Sequence, residues 1–256
     1  MGLGVYRSRP GRQTRRAVLA AIDIGYRHVD TARIYRNEKD VGAAIRECDI
    51  PREEIFVTTK LWNDDQGFDR TLRAFDASLK RLGLEQLDLY LLHWPVRGKR
   101  LDSWRALERL HGEGRVRAIG VSNFMVHHLE ELLASATVVP AVNQIEISPF
   151  LQQRSARSLC AQHGIAVEAY SPLTKGTRLE DPTVIAIAKQ LVRTPAQILL
   201  RWAWQHDLIV LPKSVRRNHI EENAALFDFE LPPETMARLD ALEEGLVTGW
   251  DPRDEP

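Results

Sequence analysis

Cysteine is scarce, with only Cys48 and Cys160 in 256 residues. Neither has a C-x-x-C neighbour or a Cys/His cluster with zinc-ligand spacing, so the expected setting is reducing and metal-free. Net charge is absent because 35 basic and 35 acidic side chains cancel. Nothing global therefore draws the protein to nucleic acid or to an anionic membrane. No stretch approaches the ~18 apolar residues of a membrane span. A small-molecule partner is what these absences leave. A glycine-rich dinucleotide turn is missing as well: Gly2 and Gly4 give only G-x-G, and Arg7 stands where a third glycine is required.

There is also no low-complexity linker, charge block or shift in composition, so residues 1–256 read as one domain, of the size usual for an α/β barrel. Arg15 and Arg16 before AVLAAIDIG superficially resemble an export signal. Asp23 interrupts that apolar run, however, and Ala17, Leu19, Ala20 and Ile24 fit an amphipathic helix after Thr14. The expected location is the cytoplasm. The tail GLVTGWDPRDEP is polar and rich in chain breakers, which makes 246–256 a short terminal loop whose Trp250 either covers a pocket mouth or packs on its rim.

What is present is a regular alternation. Short β-like runs at 2–6, 26–31, 55–60, 87–93, 117–122, 142–147, 166–171 and 208–211 are separated by helical patterns such as 67–81, 103–113, 126–133, 154–163 and 195–205. Thr194 and Pro195 make an N-cap followed by an N1 proline, and Gly83, Gly114 and Gly164 sit where C-caps belong. Eight β/α alternations predict a parallel sheet closed into a (β/α)8 TIM barrel, whose chemistry gathers at the C-terminal strand ends.

Four polar residues fall there: Asp30 and Tyr35 in VDTARIY, Lys60 in IFVTTK and His93 in LDLYLLHW. A phenol with the ordinary pKa of ~10 is a poor proton donor at neutral pH, and an adjacent ammonium would lower it. Lys60 is placed to supply that charge to Tyr35, with Asp30 as the lysine's counter-ion. A neutral His93 imidazole would bind and polarise the same substrate oxygen. Each residue alone has a structural explanation: a turn cap, a solvated strand end, a packed histidine. Together, at matching strand ends, they read as a carbonyl-activating set. The alternative pairing of Tyr35 with Lys39 satisfies the Y-x-x-x-K spacing of short-chain dehydrogenases, but lacks their upstream glycine turn. Lys39 therefore reads as a solvated helix position.

These segments resemble the aldo-keto reductases, especially the bacterial 2,5-diketo-D-gluconate reductase-like branch. GYRHVDTARIY, VTTKLWNDDQG, LDLYLLHWP, GRVRAIGVSNF, NQIEISPF, EAYSPL, TPAQILLRW and LPKSV appear in the family's order, and the likeness runs from GLGVY to FDFEL. The resemblance implies a barrel that binds NADP(H) at its C-terminal face and reduces aldehydes, ketones or keto-sugars. It makes Tyr35 the general acid, Lys60 and Asp30 its tuning partners, and His93 the carbonyl-orienting group. It also places Ser122, Asn123 and Gln144 on the nicotinamide carboxamide and Tyr170 on the nicotinamide ring. Ser171 and Leu173 would lie at the loop over the pyrophosphate. Lys213, Ser214, Val215 and Arg216 would lie at the adenosine 2′-phosphate, where His219 takes the place of a usual arginine, with Glu222 and Asn223 on the adenine side. Tyr6, Trp62 and Trp94 would wall the substrate pocket. A monomer is the implied state.

The sequence departs from the family in three places. His219 stands where arginine is usual, and an imidazole does not replace a permanently charged guanidinium fork, so use of NAD(H) is also expected. Val5 replaces a common threonine, and most of the family's N-terminal hairpin is missing from the sequence. The loop 96–101 and the tail are short, which predicts a wide mouth and broad specificity. Other readings are a regulatory nicotinamide-nucleotide-binding barrel without catalysis, and a barrel hydrolase or isomerase that needs no nicotinamide.

Overall fold

A computed structural model describes residues 1–255. Eight strands follow one another around a parallel sheet: β1 Leu3–Gly4, β2 His28–Asp30, β3 Phe56–Leu61, β4 Leu87–Leu92, β5 Val116–Ser122, β6 Val142–Glu146, β7 Ala166–Tyr170 and β8 Ile209–Leu211. The amide of Gly2 donates to the Val210 carbonyl at 2.9 Å, and that of Gly4 to the Pro212 carbonyl at 3.0 Å. These bonds join the first strand to the last and make the (β/α)8 barrel that the alternation predicts.

The helices are α1 Arg12–Ile24, α2 Glu38–Glu47, α3 Phe68–Leu82, α4 Arg100–Gly112, α5 Val126–Leu133, α6 Arg154–Gln162, α7 Pro182–Leu191, α8 Pro195–Gln205, α9 Arg217–Ala224 and α10 Pro233–Asp240. Their ends follow local chemistry. Thr194 accepts from the Gln197 amide at 3.2 Å while the Gln197 side chain accepts from the Thr194 amide at 3.0 Å, a reciprocal cap that starts α8. Gly83, Gly114 and Gly164 take φ of 66°, 71° and 67°, the left-handed turn that ends a helix without a Cβ clash. In α3, Thr71, Phe75, Ser78, Leu79 and Leu82 are buried, a spacing that puts one stripe against the sheet. Enclosing Phe75 completely contributes about 2 kcal/mol by area removed from water.

Several strands are shorter than their hydrophobic runs, with β1 reduced to two residues and β8 to three. The sheet needs only enough backbone to complete its ladder, and the flanking apolar residues pack as loop. The main core lies between sheet and helices. A smaller apolar cluster of Leu89, Leu91 and Val142, with Phe56 and Ala118, fills part of the barrel itself. Inward positions nearer the C-terminal ends of β2, β3, β6 and β7 are polar and buried: Asp30, Lys60, Gln144 and Glu168. No described helix is long and apolar enough to cross a membrane.

Candidate active site

Asp30 is the last residue of β2. The chain then runs through extended Ala32 into a single 3-10 turn, Arg33–Tyr35, closed by Arg36 at φ 60°. Buried Asn37 fastens this loop: its Oδ1 accepts from Thr31 Oγ1 at 2.7 Å and its Nδ2 donates to the Val5 carbonyl at 3.0 Å. Tyr35 therefore sits five residues beyond its strand, held over the barrel by a short, cross-linked turn.

Lys60 lies within β3, one residue before its end, and is completely buried. Its Nζ donates to Asp30 Oδ1 at 2.6 Å, to Asp30 Oδ2 at 2.7 Å and to the Thr31 carbonyl at 2.9 Å. Those three bonds use every N–H of an ammonium. The Tyr35 ring centroid is 5.3 Å from that nitrogen. The expected lowering of the phenol's pKa is not seen in this arrangement. Burial, then Asp30, Tyr170 and Tyr6, push Tyr35 well above its ordinary value. Desolvation of the phenolate outweighs the nearby ammonium, whose charge Asp30 already answers at contact distance.

His93 follows β4, where its amide donates to the Leu61 carbonyl at 3.1 Å. Its ring stands edge-on to Tyr35 at 5.8 Å and to Trp62 at 5.3 Å between centroids. Burial and then Lys60 push its pKa well below the usual value, so the imidazole is neutral at physiological pH and carries one N–H. Its Nδ1 is buried with no hydrogen-bond partner among the described residues. Tyr6 packs on Tyr35 at 5.0 Å. Trp250, 67% exposed, lies 6.1 Å from Trp62 and 5.7 Å from Trp94, so the tail brings its aromatic ring to the rim of this wall. Thr248 anchors the tail, its amide and hydroxyl both donating to buried Glu146, while Lys175 Nζ donates to the Thr248 carbonyl at 2.5 Å.

The residues expected around the nicotinamide form one connected set. Ser122, Gln144 and Glu168 are successive partners across β5, β6 and β7. Ser122 Oγ donates to the Gln144 carbonyl at 2.8 Å, and Asn123, in a left-handed conformation at φ 64°, donates to the His93 carbonyl at 2.9 Å. Tyr170 Oη donates to Asn123 Oδ1 at 2.7 Å. Gln144 Nε2 donates to Asp30 Oδ2 at 2.9 Å and to Glu168 Oε2 at 2.7 Å. Ser171 at φ 48° and Leu173 open the loop after β7.

On the other side of the strand ends, Lys213 to Arg216 connect β8 to α9, and the Arg216 amide donates to Ser214 Oγ at 3.1 Å. Lys213, Arg216 and His219 are exposed, Val215 and Glu222 half-buried and Asn223 buried. Among the described residues neither Lys213 nor Arg216 has a carboxylate partner. Burial and the nearby Arg7 guanidinium lower Lys213 from its usual value. His219, Glu222 and Asn223 share one face of α9 by their spacing of three and four.

Sequence reasoning missed Asn37, Glu146 and Glu168. The last two stand two residues from Gln144 and Tyr170 on their strands, and two-residue alternation would have marked both as inward-facing. Lys39, by contrast, is exposed on α2 as expected.

The fold and site define a closed α/β barrel with a buried Lys–Asp pair, a tyrosine and a neutral histidine gathered at the strand ends. Residues 1–244 match the Aldo/keto reductase family, and the chain belongs to it. A 9,11-endoperoxide prostaglandin H2 reductase of Trypanosoma cruzi is 50% identical over 255 residues, covering 98% of this chain and 90% of the relative. A glyoxal reductase of Bacillus subtilis is 49% identical over 251 residues, covering 98% and 91%. Among solved structures, a Gox0644 mutant in complex with NADPH superposes with a TM-score of 0.93 at 44% identity, covering 99% of this chain and 93% of that one.

Proposed function

We propose that this chain reduces aldehydes, ketones or keto-sugars to alcohols with NADPH, with Tyr35 as the proton donor. The observation that carries the reading is the buried Lys60–Asp30 pair beneath Tyr35, with the edge of neutral His93 turned to the same phenol. A buried ion pair between well-packed strands is costly to keep, and its position under a proton donor gives it a purpose beyond stability.

The nucleotide fits the residues present. Exposed Lys213 and Arg216 offer unpaired cations to a phosphate dianion, Tyr170 offers a ring beside Asn123, and Gln144 has its amide at the strand ends. When bound, NADPH supplies the hydride. Burial holds the Tyr35 phenol in the acid form, so the proton is present at Oη throughout neutral pH, and the negative charge building on the substrate oxygen, a far stronger base than the ground-state carbonyl, draws it across. His93 donates its remaining N–H to that oxygen and so fixes the carbonyl's direction. Trp62, Trp94, Tyr6 and the rim ring of Trp250 exclude water and hold an apolar or ring-bearing group. The two named relatives reduce chemically different compounds, a prostaglandin endoperoxide and glyoxal, which supports a tolerant pocket. The absence of a guanidinium at 219 favours measurable use of NADH beside NADPH.

The test follows oxidation of NADPH and of NADH over a panel of varied carbonyls. Turnover of several classes, lost in Tyr35→Phe, is expected. Unchanged turnover in that variant removes the proton-donor assignment, and no nicotinamide oxidation at all removes the reductase reading.

A further inference from the structure

Glu168 is buried inside the barrel, has no hydrogen bond or ion pair to the substrate wall among the described residues, and is not used by the chemistry above. The only side chain within hydrogen-bond distance of it among the described residues is Gln144, and the nearest basic group is His28, whose Nε2 is 4.0 Å from Oε1. Burial, then the chain's amino group and Lys60, keep His28 neutral, its pKa pushed down to about 3, so this is no ion pair. A carboxylate so placed costs stability, since its bond from Gln144 and the more distant charges of Lys60 and the chain's amino group do not offset its desolvation. Its location therefore asks for another explanation.

The geometry of Gln144 supplies one. Both contacts of Nε2 are to carboxylate oxygens, Asp30 Oδ2 on one side and Glu168 Oε2 on the other. A primary amide has two N–H groups, and here each is committed to an acceptor. With one acceptor the amide could still turn about its last torsion, a broad and soft one. Two acceptors in different directions fix its plane. The amide oxygen is then held on the opposite side, and Gln144 Oε1 accepts no hydrogen bond from any described residue. Fixed in this way, it is an acceptor waiting for an external donor.

We propose that Glu168 is a positioning residue for the nicotinamide subsite: with Asp30 it clamps the Gln144 amide so that Oε1 faces outward to accept from the primary amide of the nicotinamide. The inference rests on NADP(H) being the bound nucleotide. It adds that recognition of the carboxamide N–H is set from inside the barrel by a residue that touches neither substrate nor cofactor. Asp30 joins the two functions, because its Oδ2 also accepts from Lys60 at 2.7 Å. The rung Ser122, Gln144, Glu168 across three neighbouring strands gives the clamp a rigid base.

Two variants separate positioning from space-filling. Glu168→Met keeps the volume and removes the acceptor, whereas Glu168→Gln keeps a neutral oxygen that can accept from Gln144. Calorimetry is performed on the full chain with NADP+, with the 3-acetylpyridine analogue of NADP+, which replaces the carboxamide NH2 by a methyl group, and with 2′-phospho-ADP-ribose, which lacks nicotinamide. Wild type should prefer NADP+ to the acetyl analogue, and Glu168→Met should lose about tenfold of that preference, the worth of one well-made hydrogen bond. Glu168→Gln should restore most of it, and 2′-phospho-ADP-ribose should bind all three proteins alike. An unchanged preference in Glu168→Met, or equal weakening of all three ligands, overturns the proposal. Wild type that binds 2′-phospho-ADP-ribose without preferring the carboxamide also overturns it but leaves the nucleotide reading standing. Failure to bind any of the three removes both.

Discussion

Two lysines at the mouth of the same barrel live in opposite surroundings. Lys60 is wholly buried and spends its three N–H groups on Asp30 and Thr31. Lys213 is exposed, with no carboxylate partner among the described residues and another cation, Arg7, beside it. The first is a closed arrangement whose charge is already answered. The second leaves positive charge open, as expected where a phosphate is to be received. In the proposed reading, burial and pairing belong to the chemical half of the site and unpaired exposure to the binding half.

The sharpest way to break this contrast is to remove each ammonium and measure stability. Lys60→Met leaves Asp30 buried without its counter-ion and should cost about 3–5 kcal/mol in denaturant unfolding. Lys213→Ala, on the surface, should stay within about 0.5 kcal/mol of wild type. Similar losses for the two would erase the distinction.

Next in size is the pH dependence of the buried polar set. Burial and then Asp30 raise Glu168 from 4.5 to about 7, while Gln144, Lys60 and the chain's amino group pull the other way. Below about pH 4.5 the carboxyl is protonated both folded and unfolded, and there is no penalty. Between about 4.5 and 7 the unfolded chain releases its proton while the folded one retains it, so folding weakens as pH rises. Relative to Glu168→Gln, wild type should lose on the order of a few kcal/mol across that window and then level off. A difference independent of pH would refute the assignment.

On the binding half, Lys213→Ala should weaken NADPH about tenfold, and less so at high salt, while NADH changes little. His219→Arg should tighten NADPH severalfold through a charged fork, again sparing NADH. Fluorescence titration of both nucleotides reads these effects. The smallest expected change tests the helical frame far from either lysine. Val192 ends α7 at φ 53° and is 88% exposed, a strained place for a β-branched residue. Val192→Gly should raise stability by about 1 kcal/mol in thermal unfolding, without altering kinetics.

Much of the fold and part of the site are legible in the sequence. Periodicity located all eight strands within a few residues, and the cap at Thr194 and the turns at Gly83, Gly114 and Gly164 follow from local chemistry. Asp30, Lys60 and His93 were visible because strand ends can be counted. The direction of Tyr35's shift was not, because it is set first by how deeply the folded barrel encloses the phenol, which strand counting does not show. Asn37 escaped because its tie to the chain just after the first strand runs to Val5, thirty-two residues away. Helices α7 and α10 carry readable starts, an Asp181 cap and an N1 proline, but their apolar stripes are weak beside those of α3. Trp250 belongs to the rim only because Thr248 is tied to Glu146, a contact 102 positions apart.

The central claim is that Tyr35 supplies the proton while the nucleotide is held elsewhere. Its most direct test is single-turnover oxidation of bound NADPH by a saturating aldehyde in wild type and Tyr35→Phe, with the nucleotide's Kd measured in parallel. The predicted result is a rate lower by roughly 10²–10⁴-fold, the range for loss of a general acid, with Kd unchanged. A rate equal to wild type, or a fall in rate matched by an equal loss of NADPH affinity, would contradict it.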